Sequence, residues 1–530
     1  MIRRDFLRKS VAGSMMFPSL LGGFNVAMNR RSPWTQLLES FVVDTDHVLV
    51  LVRLDGGNDG LNTVIPLDQY DTLANVRPHV IIPENEILRL NGRDDVGLHP
   101  SMPGLRNLYN EGKLSIIQSV GYPNPNFSHF RATDIWMTGA DSDEVLTTGW
   151  MGRYLNYEYP NFPVGFPNQD MPDPLSIEIG GTLSLTFQGP ATGMGMSVSN
   201  PAEFYNLVQG IQAPAPNTPP GEQLRYIRLI ASQSNEYGRV LKNAYENGTN
   251  RAAYPNTDEN YLAEQLKIVA RLISGGLKTR VYMVSLGGFD THDAQVEDGD
   301  HTIGEHATLL QYVSEAISSF VKDIELLGLE DRVLGMTFSE FGRRVISNFS
   351  NGTDHGSAAP MFVFGKSVHP GIIGDNPQID PNADANTNLP MQYDFRSLYA
   401  TMLKDWFCVP EPDLESVLLH NFQNLPVVNT PDCISTATHE LNQKAGKTLV
   451  SCYPNPFVQS TNIDFETEGG HTMIQIFNQS GQLVATPVSK AFAKGKFSIY
   501  WNSEDLPAGT YYVRLQNGIT QQLKPVLKVR

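Results

Sequence analysis

The sequence predicts an α/β domain with a mostly parallel sheet sandwiched by helices, followed by a small antiparallel β-sandwich. Three observations carry this. Continuous apolar runs recur through residues 45–425, amphipathic helices lie between them, and the texture changes to short alternating runs after about residue 447.

The runs come in the order "HVLVLVRL" (47–54), "KLSIIQSV" (113–120), "RVYMVSL" (280–286), "RVLGMTFS" (332–339) and "MFVFG" (361–365). Unbroken apolar character marks strands covered on both faces. Within "GEHATLLQYVSEAISSFVKDIELLG", Leu310, Val313, Ile317, Phe320 and Ile324 step by three or four, so one stripe of a helix is apolar. "EQLRYIRLIASQSNEYGRVLKNAYE" (222–246) is a second helix. Strands alternating with helices argue for a parallel sheet with helices packed on it. Residues 426–447 are polar and poor in aromatics, which suits a linker. In 448–530, "MIQIFN", "FSIYWN" and "TYYVRLQ" are short strands separated by Gly, Asn and Pro turns, as in a sandwich.

Composition narrows the function classes. A length of 530 residues exceeds one ordinary core and predicts several domains. The net charge of −17 disfavours nucleic acid as a partner, since phosphate binding needs a basic surface. The three cysteines, Cys408, Cys433 and Cys452, form no CxxC pair and allow one disulfide. No apolar stretch of about twenty residues occurs, so no transmembrane segment is expected. Residues 1–28 have a charged start before a short apolar segment, the build of an export signal. Arg3 and Arg4, then Phe6 and Leu7, resemble the twin-arginine signal.

In open parallel sheets, ligands bind beyond the carboxyl ends of the strands. Asp55 follows the first run and Ser128 stands in the segment after the second. Asp290 and His292 follow the third, in "GGFDTHDAQ", Glu340 follows the fourth, and Asp354 and His355 precede the fifth. Carboxylates and imidazoles are the ligands of hard and borderline cations. Asp290, His292 and His355 would make one three-ligand site. Asp55 and Glu340 would supply a second, oxygen-rich one, with Ser128 between them as nucleophile or bridging ligand. Arg131 or Arg343 would clamp substrate oxygens.

Each residue also has a plain structural reading. Asp55 before Gly-Gly can cap a turn, Asp290 can cap a helix, Asp354 and His355 can pair in a loop, and Glu340 can pair with Arg343. His306 lies on the helix's apolar stripe and reads as a hydrogen-bonded core histidine, the alternative being a ligand. His129 is not assigned as the base of Ser128, because adjacent side chains diverge.

Residues 45–425 resemble the secreted bacterial family called domain of unknown function 1501, through "LDGGNDGLNTVIP", "LHPSMPGL", "GYPNPNFSHFRATDIWMTG", "GGFDTHDAQ", "FSEFGRR", "NGTDHGSAAPMFVFG" and "YDFRSLYATML". That family is similar to a remote branch of the alkaline phosphatase and sulfatase superfamily. The resemblance implies an alkaline phosphatase-like fold, with Ser128 as nucleophile and Asp55, Asp290, His292, Glu340 and His355 as ligands. Phe341 stands where that superfamily has a ligating histidine, and the loop at Ser128 lacks the Cys/Ser-x-Pro-x-Arg pattern of formylglycine sulfatases. Residues 448–530 resemble the C-terminal sorting domain of type IX secretion, through "YPNPF", "IFNQSGQLV", "WN" and "LPAGTYYVRL".

The resulting expectation is an exported, cell-surface or extracellular hydrolase of phosphate or sulfate esters, small or polymeric. It would use one or two divalent ions (zinc, calcium or manganese) and engage the type IX machinery. The alternative is a catalytically inactive surface protein that retains the fold.

Overall fold

The computed structural model describes residues 45–201, 219–256, 258–429, 433 and, with short breaks, 450–529. The export signal read over 1–28 lies outside the described residues, as does most of the linker read over 426–447. The described chain divides into two compact units, one ending at Thr430 and one running to the C-terminus.

The first unit is built on a nine-stranded sheet. Its strands are β1 (Val48–Asp55), β2 (Leu114–Gly121), β3 (Ser176–Ile179), β4 (Met196–Val198), β5 (Val281–Gly287), β6 (Val333–Phe338), β7 (Ala359–Phe364), β8 (Gly371–Ile373) and β9 (Tyr393–Asp394). The spatial order is β8–β2–β7–β6–β1–β5–β3–β4, with β9 also on β2. All five predicted runs are strands of this sheet. Every pairing is parallel except those of β7, which runs antiparallel to both β2 and β6. The reversal places the start of β7 beside the ends of β1, β2, β5 and β6. Residues preceding β7 therefore share a rim with residues following the other four.

Helices are α1 (Pro103–Asn110), α2 (His129–Thr138), α3 (Trp150–Glu158), α4 (Pro219–Asn247), α5 (Tyr261–Ser274), α6 (Glu305–Leu327), α7 (Phe395–Thr401) and α8 (Glu411–Leu418). Successive side chains of a strand point to opposite faces. Leu49 and Leu51 of β1 accordingly enter a core with Trp136, Trp150, Tyr154, Tyr399 and Val417, from α2, α3, α7 and α8. Val48, Val50, Val52 and Leu54 enter a second core with Leu105, Leu241, Leu266 and Phe320, from α1, α4, α5 and α6. This two-sided burial is why β1 is apolar throughout. The five residues of α6 picked out by spacing are all buried there.

The second unit has two antiparallel sheets. One holds β10 (Val450–Tyr453), β11 (Ser460–Thr467) and β14 (Gly495–Asn502). The other holds β12 (Gly470–Phe477), β13 (Leu483–Phe492), β15 (Gly509–Asn517) and β16 (Thr520–Lys528). Ile463, Phe465 and Trp501 of the first sheet pack with Ile474, Ile476, Val513 and Val526 of the second. Cys408 is disulfide-bonded and Cys452 is a free thiol. No described helix is long and apolar enough to cross a membrane.

Candidate metal centre

The rim loops meet where β1 ends. There Gly56 and Gly57 have φ of +124° and +84°, a region that favours glycine. A Cβ on Gly56 would lie 2.4 Å from the Asp290 amide nitrogen, and one on Gly57 would lie 2.4 Å from the Phe341 ring. The glycines therefore let the loop after β5 and the loop after β6 close on the end of β1.

Arg343 locks that junction. It is fully buried and donates to the carbonyls of Gly56, Gly57 (2.7 Å), Phe289 (2.8 Å) and Thr353 (2.9 Å), and to Oδ1 of Asp290 (2.8 Å). With its side chain fully buried and its donors taken up by these acceptors, it serves to hold Asp290 in place. Burial pushes the Asp290 carboxyl up, but hydrogen bonds from Arg343 and His355 and the nearby Arg343 and His129 charges outweigh it, bringing it down to about 2. Asp290 is thus a carboxylate at any physiological pH.

Three histidines surround it. His355 Nδ1 donates to the Phe127 carbonyl at 2.8 Å. His129 Nδ1 lies 2.9 Å from Oε1 of Glu340, which also accepts the Gly56 N–H. His292 Nδ1 lies 3.0 Å from Oδ1 of Asp354. A carbonyl or carboxylate can only accept, so each Nδ1 carries a proton, and a ring in its neutral form would then offer a lone pair at Nε2. All three Nε2 atoms face Asp290: His129 at 3.3 Å from Oδ2, His292 at 3.2 Å and His355 at 3.0 Å from Oδ1. Nε2 of His129 is buried without a hydrogen bond. Nε2 of His292 lies only 2.8 Å from Nε2 of His355, where two lone pairs would repel. Burial lowers the His355 pKa, against hydrogen bonds to Asp290 and Phe127 that raise it.

A cation fits this donor set on the protein's own chemistry. Metal-bound histidines characteristically give their second nitrogen to a carboxylate or carbonyl, as all three do here. A cation between the Nε2 atoms would relieve the repulsion and satisfy the orphaned nitrogen. His129, Asp290 and His355 each place a ligand atom within 4.8 Å of the other two.

The structure gathers some predicted residues and separates others. Asp290, His292 and His355 come together. Glu340 is buried and reaches the cluster through His129 rather than joining it, and it does not pair with Arg343. Asp55 turns its carboxylate to Arg53. Arg131 donates to the carbonyls of Asp141, Ser142 and Glu144, and so fastens the turn after α2 instead of projecting as a clamp. Ser128 is exposed at the start of α2, between Phe127, which holds His355, and His129. His129, which also faces Asp290, was not among the predicted site residues. Its signal lay in the rim segment that supplied Ser128.

His306 is buried, with Nε2 3.0 Å from Oδ1 of Asn58, which agrees with a core histidine. It sits edge-on to buried His99.

Residues 228–413 match the family described as Protein of unknown function (DUF1501). Residues 451–528 match the Secretion system C-terminal sorting domain. That domain directs the chain by type IX secretion to the cell surface or the extracellular space. No curated protein matches the chain. Solved structures with some likeness include an alkaline phosphatase superfamily protein from Vibrio parahaemolyticus, 11% identical, covering 99% of this chain and 91% of that one, with a TM-score of 0.29. A sulfatase from Pseudoalteromonas sp. is 11% identical, covers 93% and 87%, and scores 0.31. The lipoteichoic acid synthase LtaP from Listeria monocytogenes is 10% identical, covers 62% and 68%, and scores 0.26.

Proposed function

We propose that this exported protein is a metal-dependent hydrolase of phosphate or sulfate esters, with an alkaline phosphatase-like core. One observation carries the reading: three histidine Nε2 atoms, each fixed through its Nδ1, converge on an ionised aspartate at the open end of the sheet. A divalent ion held there would supply Lewis-acid stabilisation of charge on the reacting oxygens.

The chain's own groups would divide the remaining work. Ser128 is the nucleophile in this reading. Its Oγ attacks the phosphorus or sulfur, the alcohol leaves with a proton, and water later frees the serine. The first turn of α2 begins at the same point, and its N–H groups, lacking intrahelical partners, favour an anion. That would take the place of the clamp expected of Arg131. His129 is not the base for Ser128, since Nδ1 is bonded to Glu340 and Nε2 faces Asp290.

A second reading has specific support. Three histidines and one carboxylate fill a tetrahedral ion, and closed four-coordinate sites are usually structural. The protein would then be a non-catalytic surface protein. A panel of phospho- and sulfo-esters assayed on the metal-loaded protein decides between them. Turnover that is lost in Ser128→Ala with metal content intact supports the hydrolase. Unchanged activity in Ser128→Ala removes Ser128 from the mechanism, and no turnover of any ester on loaded protein favours the second reading.

A further inference from the structure

We infer that the rim holds one ion, not two, bound by Nε2 of His129, His292 and His355 and by the Asp290 carboxylate, with Phe341 closing the neighbouring position. The inference rests on the metal-dependent reading above but not on turnover.

The donor spacing is the first argument. A tetrahedral ion with bonds of about 2.0–2.1 Å holds its ligand atoms about 3.3 Å apart. Each Nε2 lies 3.0–3.3 Å from an Asp290 oxygen. Ligand atoms of His129, Asp290 and His355 lie within 4.8 Å of one another, and His292 approaches this group with its Nε2 2.8 Å from that of His355. A calcium site asks for six to eight oxygens at longer range, and three imidazoles do not supply them. Imidazole nitrogens with one carboxylate select a borderline ion such as zinc.

The second argument concerns what surrounds the set. Phe341 is buried, and its ring centroid lies 4.9 Å from that of His129 and 4.7 Å from that of His355. Its other flank presses on Gly57. An apolar ring thus covers this flank of the histidines and offers no donor there. The carboxylates that might have served such an ion are engaged: Glu340 accepts from His129, Gly56 and Ser339, and Asp55 pairs with Arg53. Any fifth position on the bound ion must open toward solvent, on the side where Asp290 is half exposed.

His129 is the distinguishing ligand. A two-ion site assembled from Asp55, Asp290, His292, Glu340 and His355 would not need it. The test titrates the metal-free full-length chain with zinc, and in parallel with cobalt(II), whose visible spectrum reports coordination geometry. One equivalent per chain, an intense four- or five-coordinate cobalt spectrum, and a loss of affinity of at least tenfold in His129→Ala are expected. His129→Gln, which keeps side-chain bulk, should show the same loss and so guards against an unfolded alanine variant. Two tight equivalents, a weak six-coordinate spectrum, or unchanged affinity in both folded His129 variants would overturn the inference. If one ion binds as described but no ester is hydrolysed, the hydrolase reading fails and this one stands.

Discussion

Oε1 of Glu340 accepts hydrogen bonds from both Nδ1 of His129 and the backbone N–H of Gly56, each at 2.9 Å. One buried carboxylate oxygen thus fixes a candidate ligand and the end of the central strand together. Replacing Glu340 by Ala frees the imidazole and leaves a buried N–H unpaired. Metal affinity should fall roughly 10- to 100-fold, the usual effect of losing such a partner. Stability should fall by about 1–3 kcal/mol from the orphaned donor. Glu340→Gln keeps an acceptor oxygen and should cost less on both counts. Metal titration and urea denaturation of the two variants check this, and equal effects would show that the carboxylate's acceptor role is not what matters.

Arg343 is a structural cation, not a substrate contact. Its five acceptors come from three rim loops, and it is fully buried. Arg343→Ala leaves four carbonyls and a carboxylate without their donor. Each buried carbonyl left without its donor costs about 1–3 kcal/mol. Arg343→Lys should recover only part of this, because an ammonium cannot reproduce the planar fork. A chemical denaturation midpoint within error of the parent would refute the bracing role.

The sheet was legible because its central strands are covered on both faces, and that demands unbroken apolar runs. The direction of β7 was not, since an apolar run reads the same either way. The site was half legible. Chemistry-bearing residues at strand ends pointed to the rim, yet the assignment of Asp55 overlooked Arg53. Residues two apart on a strand share a face, so that pairing was available from spacing alone. His129 stands beside Ser128 in the sequence, but its partner Glu340 lies 211 positions away, beyond any local pattern. Arg131's carbonyl acceptors belong to a turn whose path no local pattern fixes.

Gly57→Ala tests the packing behind the histidines. The added methyl would stand 2.4 Å from the Phe341 ring, at a backbone φ of +84°. The strained backbone alone costs on the order of 1–3 kcal/mol. The displaced ring can only press on His129 or His355. Lower thermal stability together with weaker zinc binding is expected. A variant that loses stability but binds zinc as tightly as the parent would show that Phe341 does not support the site.

Acid should weaken the first unit through two histidines outside the metal cluster. Burial drives the pKa of His99 down to about 3, with a further push from His306. Burial likewise lowers His306 to about 4, against an opposing pull from Asp59 and with Arg343 and Arg77 adding to the shift. Both values lie below the unfolded histidine value of about 6.5. The unfolded chain therefore takes up protons first as pH falls, and stability declines with it. The loss begins near pH 6.5, continues while only the unfolded state is protonated, and stops once the folded pKa values are passed. Between pH 7 and pH 5 each histidine accounts for about 2 kcal/mol by linkage, an upper figure for a neighbouring pair. Urea denaturation at the two pH values, on the parent and on a His99→Gln, His306→Gln variant, measures the effect. The parent should lose several kcal/mol more than the variant on going to pH 5, and equal losses would place the acid sensitivity elsewhere.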